Sequence, residues 1–200
     1  MMHLVALALV LAGEPAWELG GETATGMRWY TRARSPGREV LATAVVDAPP
    51  ADVWAVLMDF EGYPRTMPTT DKVKVLVSEG AVHLVYSRYA LPLVAPRDTI
   101  ARMVSRVDVA GGVWLLTWKA VNDLDALMPV EPGVVRLRIN EGRWRLEARD
   151  DGRTRVTYQL YSLPGGDVPL RLVNEFSGLG LPATFDSLQR AARAHSAAKR

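Results

Sequence analysis

The sequence contains no cysteine, which excludes disulfide bonds, thiol nucleophiles and thiolate metal sites. Histidine is nearly as scarce, with only His3, His83 and His195, far apart and in no metal-ligand spacing. Neither a metal centre nor a cofactor site is expected. No charge of one sign dominates, since 24 Lys and Arg stand against 22 Asp and Glu for a net charge of +2. That balance does not call for nucleic acid, and no aromatic residues interleave the basic ones as a single-strand binder would need. No repeat or low-complexity segment occurs. The N-terminal apolar run, Leu4 to Ala12, is too short to cross a bilayer.

What is present is a globular composition, 48% hydrophobic and 23% charged over 200 residues, suited to one domain with a core. The run after Met1-Met2-His3 resembles a short secretory signal, with Val10-Leu11-Ala12 a permissible cleavage site and no Lys or Arg ahead of it. The expectation is an exported, periplasmic protein in which residues 1–20 are signal and lead-in. A cytoplasmic protein with a small buried N-terminal helix is the alternative. Residues 14–25 read as a polar, glycine-containing lead-in with room for a short helix around Trp17.

Residues 27–34 and 39–46 read as strands of a hairpin closed by Ser35-Pro36-Gly37. In DAPPADVWAVLMDF, Pro50 suits a first helical turn, Asp52 suits the helix dipole, and Val53, Trp54, Leu57 and Met58 share a face. The period then switches to two, predicting strands over 72–75, 82–90, 99–109 and 112–120. After the loop NDLDALMPVEPG, alternation predicts a three-strand meander: Val135, Leu137 and Ile139 against Arg136, Arg138 and Asn140, a turn at Glu141-Gly142, then Trp144 and Leu146, then Val156, Tyr158 and Leu160. The long helical pattern, Gly165 to His195, carries two apolar stripes. Val168, Leu172, Phe176 and Leu179 form the first; Leu181, Phe185, Leu188 and Ala192 form the second, about 180° around. Gly178, Gly180 and Pro182 lie between them and predict a bent or two-part helix.

Strands with one polar face must bury the other, and only the helix near Trp54 and the C-terminal helix are available to cover it. The fold class is therefore α+β, a curved antiparallel sheet gripping a long C-terminal helix. Such an interior either packs solid or leaves an apolar cavity, and composition alone leaves both open.

Longer stretches carry a resemblance. VDAPPADVWAVLMDFEGYPRTMP, YSRYALPLVAPRDTI, PVEPGVVRLRINEGRWRL, RTRVTYQLYSLPGGDVP and RLVNEFSGLGLP resemble, in order, the START lipid-transfer domains of the helix-grip superfamily, over residues 25–198. The pattern falls on Gly133, Arg136, Trp144, Thr154, Tyr158, Gly166, Pro169, Leu172, Asn174, Gly180 and Pro182. The resemblance implies an internal apolar cavity for one lipid or sterol, closed by the C-terminal helix and by the loop before Arg97-Asp98. It implies transport between membranes, not catalysis. The alternative inside the superfamily is a polyketide cyclase or aromatase, which needs inward acid–base groups.

Strand parity names the lining: Thr99, Ala101, Met103, Trp114, Leu116, Trp118, Val135, Leu137, Tyr158 and Leu160, with Leu172, Phe176 and Leu179 from the helix. The inward basic residue and carboxylate of cholesterol-type carriers fall on Met103 and Ser87, so both charges are missing and hydroxyl contacts from Ser87, Tyr89, Thr99 or Tyr158 are favoured. The gate is assigned to Leu91, Pro92, Leu93, Arg97 and Asp98, and the hinge to Gly178, Gly180 and Pro182. Arg97 and Asp98 read as an ion pair fixing the loop, with a headgroup clamp as the sharper option. The arginines Arg136, Arg138, Arg143, Arg145, Arg149, Arg153 and Arg155 read as an outer face, solvated or docked on anionic lipid. Asp123, Asp125 and Glu131 read as solvated loop acids. A monomer is expected.

Overall fold

The computed structural model describes residues 14–90, 94–166, 168 and 180–199. Ten strands, β1 (Glu18–Glu22), β2 (Arg28–Ala33), β3 (Arg38–Val46), β4 (Thr70–Glu79), β5 (Val82–Tyr89), β6 (Arg97–Asp108), β7 (Val113–Ala120), β8 (Val135–Arg136), β9 (Asn140–Ala148) and β10 (Thr154–Ser162), make one sheet among the described residues. Its order is β1-β2-β3-β10-β9-β7-β6-β5-β4, with β8 paired to β6 outside that path. All neighbours on the path run antiparallel, and β6–β8 is parallel. Two helices and a 3-10 turn interrupt the strands: α1 (Pro50–Met58), the turn Phe60–Gly62, and α2 (Tyr63–Thr66). The chain ends in α3 (Leu181–Ala197). This is the α+β, helix-grip arrangement expected from the alternation.

The local chemistry explains the boundaries. Pro50 occupies the first turn of α1, where its missing N–H costs nothing. Gly37 closes the β2–β3 turn with φ of 100°, a left-handed conformation that favours glycine. Pro182 likewise sits in the first turn of α3, with Gly180 as its N-cap, so the proline starts this helix instead of kinking one. Leu181, Phe185, Leu188 and Ala192 are buried, which is the second of the two predicted stripes. Leu172, Phe176, Leu179 and Gly178 lie outside the described residues, as do Leu91, Pro92 and Leu93.

Three local expectations are corrected. No helix forms around Trp17; residues 14–17 lead straight into β1, and the Trp17 ring stacks under the Arg32 guanidinium at 4.6 Å. The meander has two full strands, not three, because Val135–Arg136 is a two-residue strand that pairs with β6. Glu141-Gly142 is no turn either: both lie inside β9, opposite Lys119 and Trp118 on one side and Tyr161 and Leu160 on the other. Alternation shows that a segment is extended, but it cannot say which strand that segment joins.

The C-terminal end of α3 is fastened to the start of α1. Lys199 Nζ donates to Asp52 Oδ1 at 2.5 Å, and the Ser196 hydroxyl donates to Oδ2 of the same carboxylate. Arg193 donates to Asp47 at 2.6 Å. The hydrogen bonds from Lys199 and Ser196 hold the Asp52 carboxyl below its ordinary range. A depressed folded-state pKa adds stability above the unfolded carboxylate's pKa, and this is lost as pH falls through the depressed value. Asp52→Asn is therefore expected to lower the thermal midpoint at neutral pH and to flatten its decline on acidification. Parallel wild-type and variant melts between neutral and strongly acidic pH test this, and parallel curves would refute it.

Candidate functional site

The register of the sheet brings side chains from separate strands onto one concave face. In one row stand Val40, Leu160, Gly142, Trp118, Met103 and His83, each directly opposite the next. A second row runs Ala42, Tyr158, Trp144, Leu116. The aromatic members touch: Trp118 stacks on Tyr158 with ring centres 5.7 Å apart, Tyr158 lies 4.3 Å from Trp144, and Trp144 lies 5.8 Å from Phe185 of α3. Burial pushes the Tyr158 hydroxyl well above its ordinary range. In the middle of β6, Ala101 stands opposite Val85, and both are buried in the core.

Of the strand residues named as lining the site, Ser87, Thr99, Ala101, Met103, Leu116 and Leu137 are buried, while Tyr89, Trp114, Trp118, Val135, Tyr158 and Leu160 are half-buried. The structure brings the strand residues together on the concave side. Leu116 is fully enclosed among core side chains.

A polar cluster occupies the end of this face nearest the start of β6. Thr99 is 1% exposed, and its hydroxyl has no hydrogen-bond partner among the described residues. Ser87 stands directly opposite Thr99. Burial raises the pKa of the Tyr89 hydroxyl, while the adjacent Asn140 and Ser87 side chains pull it down. Asn140 also accepts from Trp118 Nε1 at 3.2 Å. Parity had sent Asn140 outward with Arg136 and Arg138. It is buried instead, because β9 starts a fresh strand at that residue and the parity of β8 does not carry over.

The Arg97-Asp98 pair is rearranged in an informative way. Asp98, 0% exposed, is held by Arg136, whose Nε and Nη2 donate to its two oxygens at 2.6 and 2.9 Å. Arg136 is thus a buried cation with a side chain 3% exposed, not a member of the solvated outer face. It also donates to Asp125 at 2.7 Å and to the Met128 carbonyl at 2.9 Å, which ties residues 121–134 down on the convex side. Asp125 and Glu131 are therefore anchors of that loop and not free acids. Glu131 accepts from Arg88 at 2.8 Å and from Lys72 at 2.5 Å. Arg97 is buried and donates to the carbonyls of Pro164, at 3.4 Å, and Ala95. Four of the other outer arginines are also paired: Arg138 with Asp125, Arg145 with Glu147, and both Arg149 and Arg153 with Asp151. Arg143 and Arg155 have no ion-pair partner among the described residues.

At the far end of the concave face stands His83, which composition had set aside as scattered. It is 7% exposed, its Nδ1 meets the Ser78 hydroxyl at 2.9 Å, and its ring packs 5.1 Å from Phe60. Its Nε2 is buried without a partner among the described residues. A depression of about 370 Å³ lies beside it, between Met58, Phe60 and Val75. Ser87 is four residues along the same strand as His83 and so shares its face, which is the signal in the sequence that finds His83. Among the described residues no three His, Asp or Glu side chains gather to hold a metal ion.

Residues 46–187 match the family model described as polyketide cyclase / dehydrase and lipid transport. The chain belongs to that family. An uncharacterized protein of Pseudomonas aeruginosa is 30% identical over 135 residues, which cover 66% of this chain and 63% of that protein. The chain therefore spans somewhat less than two thirds of this relative's length. A STAR-related lipid transfer protein fragment from Xanthomonas axonopodis superposes with a TM-score of 0.78 at 24% identity, covering 88% of this chain and 98% of that one. Human STARD10 superposes with a TM-score of 0.80 at 16% identity, covering 92% and 75%. The fold is the START helix-grip fold.

Proposed function

We propose that this family member is a noncatalytic carrier that holds one lipid against the concave face and moves it between membranes. The observation that carries this reading is the Thr99 hydroxyl, buried and without a partner among the described residues, at the polar end of a face that also carries Trp118, Tyr158, Met103 and Ala101. A buried hydroxyl without a partner costs roughly 1–3 kcal/mol, which a ligand hydroxyl recovers. Apolar burial at about 25 cal/mol per Å² supplies the rest of the affinity. With methionine and serine where cholesterol-type carriers place a charged pair, the ligand's polar end is neutral, as in a sterol or a hopanoid-like lipid. The lipid-transfer proteins that share the fold support the reading, and so does the family description.

Native mass spectrometry of the protein purified from its own host is expected to show one bound lipid. Trp118→Asp is expected to reduce vesicle-to-vesicle lipid transfer at least tenfold, because a carboxylate placed on an apolar wall must be desolvated by any ligand. Protein that carries no lipid and transfers none would overturn the carrier reading. Export to the periplasm belongs to the same proposal, and N-terminal sequencing of the host protein tests it: an intact Met1 refutes it.

A cyclase reading has one observation in its favour, the inward-facing imidazole of His83. The interior tyrosines Tyr89 and Tyr158 are held above their ordinary pKa by burial, which makes them poor proton donors near neutral pH. Turnover of a linear poly-β-ketone thioester that disappears in His83→Gln would favour the enzyme.

A further inference from the structure

Among the described residues, two buried polar atoms on the same concave face have no hydrogen-bond partner, and they stand at opposite ends of it. At one end is Thr99 Oγ1, beside Ser87; at the other is His83 Nε2. Both residues are more than nine-tenths buried. Ser87 and His83 are four residues apart on β5 itself, so at about 3.3 Å per residue the two ends are separated by about 13 Å. Between them the concave face is apolar, made by Val85 and Ala101, with Met103 and Trp118 alongside.

The imidazole's other nitrogen is already committed to Ser78. Whichever tautomer that contact selects, Nε2 is left with one unused valence, as donor or as acceptor. Burying it that way without a partner costs the molecule stability, and ordinary packing would have placed an apolar residue there.

We infer that the cargo is polar at both ends: an apolar body carrying one hydrogen-bonding group that meets Thr99 and a second, about 13 Å away, that meets His83. This rests on the carrier reading and narrows it from a lipid with one head group to a lipid of the α,ω-dihydroxy or hydroxy-acyl type. A ligand with a bare hydrocarbon tail would leave Nε2 as unsatisfied as it is without cargo. A terminal hydroxyl on that tail satisfies it in either tautomer, since a hydroxyl both donates and accepts.

The test compares two probes that differ in one oxygen, decanol and decane-α,ω-diol, by calorimetric titration of the wild type, His83→Phe and Thr99→Val. In His83→Phe the diol is expected to bind about tenfold more weakly while decanol is unchanged, the effect of one lost hydrogen bond. In Thr99→Val both probes are expected to weaken to the same extent, because both present one hydroxyl to that end. Comparing ratios cancels the different water affinities of the probes. Should His83→Phe fail to fold, the His83 Nε2 nitrogen resonance in the wild type decides: it should shift with the diol and not with decanol. An unchanged diol-to-decanol ratio in His83→Phe, or equal resonance shifts with both probes, overturns the two-ended cargo while leaving the carrier intact. Failure of the wild type to bind either probe overturns both.

Discussion

Replacing Arg136 by methionine is expected to lower the unfolding free energy by about 3–5 kcal/mol, more than any surface change in this protein. The reason is the state in which Asp98 is left. Its carboxylate is fully enclosed, and both oxygens accept from the one guanidinium. The Tyr86 hydroxyl nearby has no hydrogen-bond partner among the described residues, and burial together with the Asp98 charge pushes it up to about 12, so it remains a neutral phenol that cannot replace the positive guanidinium. Removing Arg136 leaves an uncompensated buried anion, frees the Met128 carbonyl and leaves Asp125 to Arg138 alone. The double variant Asp98→Leu, Arg136→Met is expected to recover most of the loss, because replacing a buried ion pair by apolar groups of similar volume is often neutral. Urea unfolding followed by tryptophan fluorescence measures both. A single-variant loss below about 1 kcal/mol would mean that solvent reaches Asp98.

Gly142→Ala adds one methyl group and is expected to cost about 3 kcal/mol, against a gain of roughly 0.5 kcal/mol for alanine over glycine in an unhindered strand. The sign is decided by what the new Cβ meets. It would stand 2.2 Å from the Gln159 carbonyl oxygen and 2.5 Å from Cζ2 of Trp118. The first neighbour is backbone in the β9–β10 ladder and can retreat only by breaking that pairing. The second is an indole packed on Tyr158 and bonded to Asn140, so it cannot swing aside without disturbing the polar end of the site. Reduced near-ultraviolet dichroism and weaker lipid uptake should therefore accompany the loss of stability. A variant with the wild-type midpoint and spectrum would show that the strands separate more easily than this geometry implies.

Gly142 also marks where residue patterns stop being informative. Beside glutamate, in a stretch of alternating residues, a glycine reads as a turn. In the sheet it is the gap into which the Trp118 ring folds. The cause is non-local, since Trp118 is brought opposite Gly142 by the β7–β9 register. Arg136 is a second example. Alternation places it opposite Leu137, which is correct, but the convex side at that point is covered by residues 121–134, and so an outward arginine is a buried one.

From its order of residues alone this chain determined the α+β class, the period-two strands, the first helix at Pro50, the buried stripe of the last helix and the inward set on β6, β7 and β10. Each of these follows from a repeat of two or 3.6 residues, and such a repeat is local. Only the tertiary structure decided that Asp98 pairs with Arg136 and not with its neighbour, that Asn140 turns inward, and that His83 and Thr99 look onto one face from opposite ends. Those facts depend on strand order and register, which are set by how the whole sheet buries its apolar side, and no stretch of sequence carries them by itself.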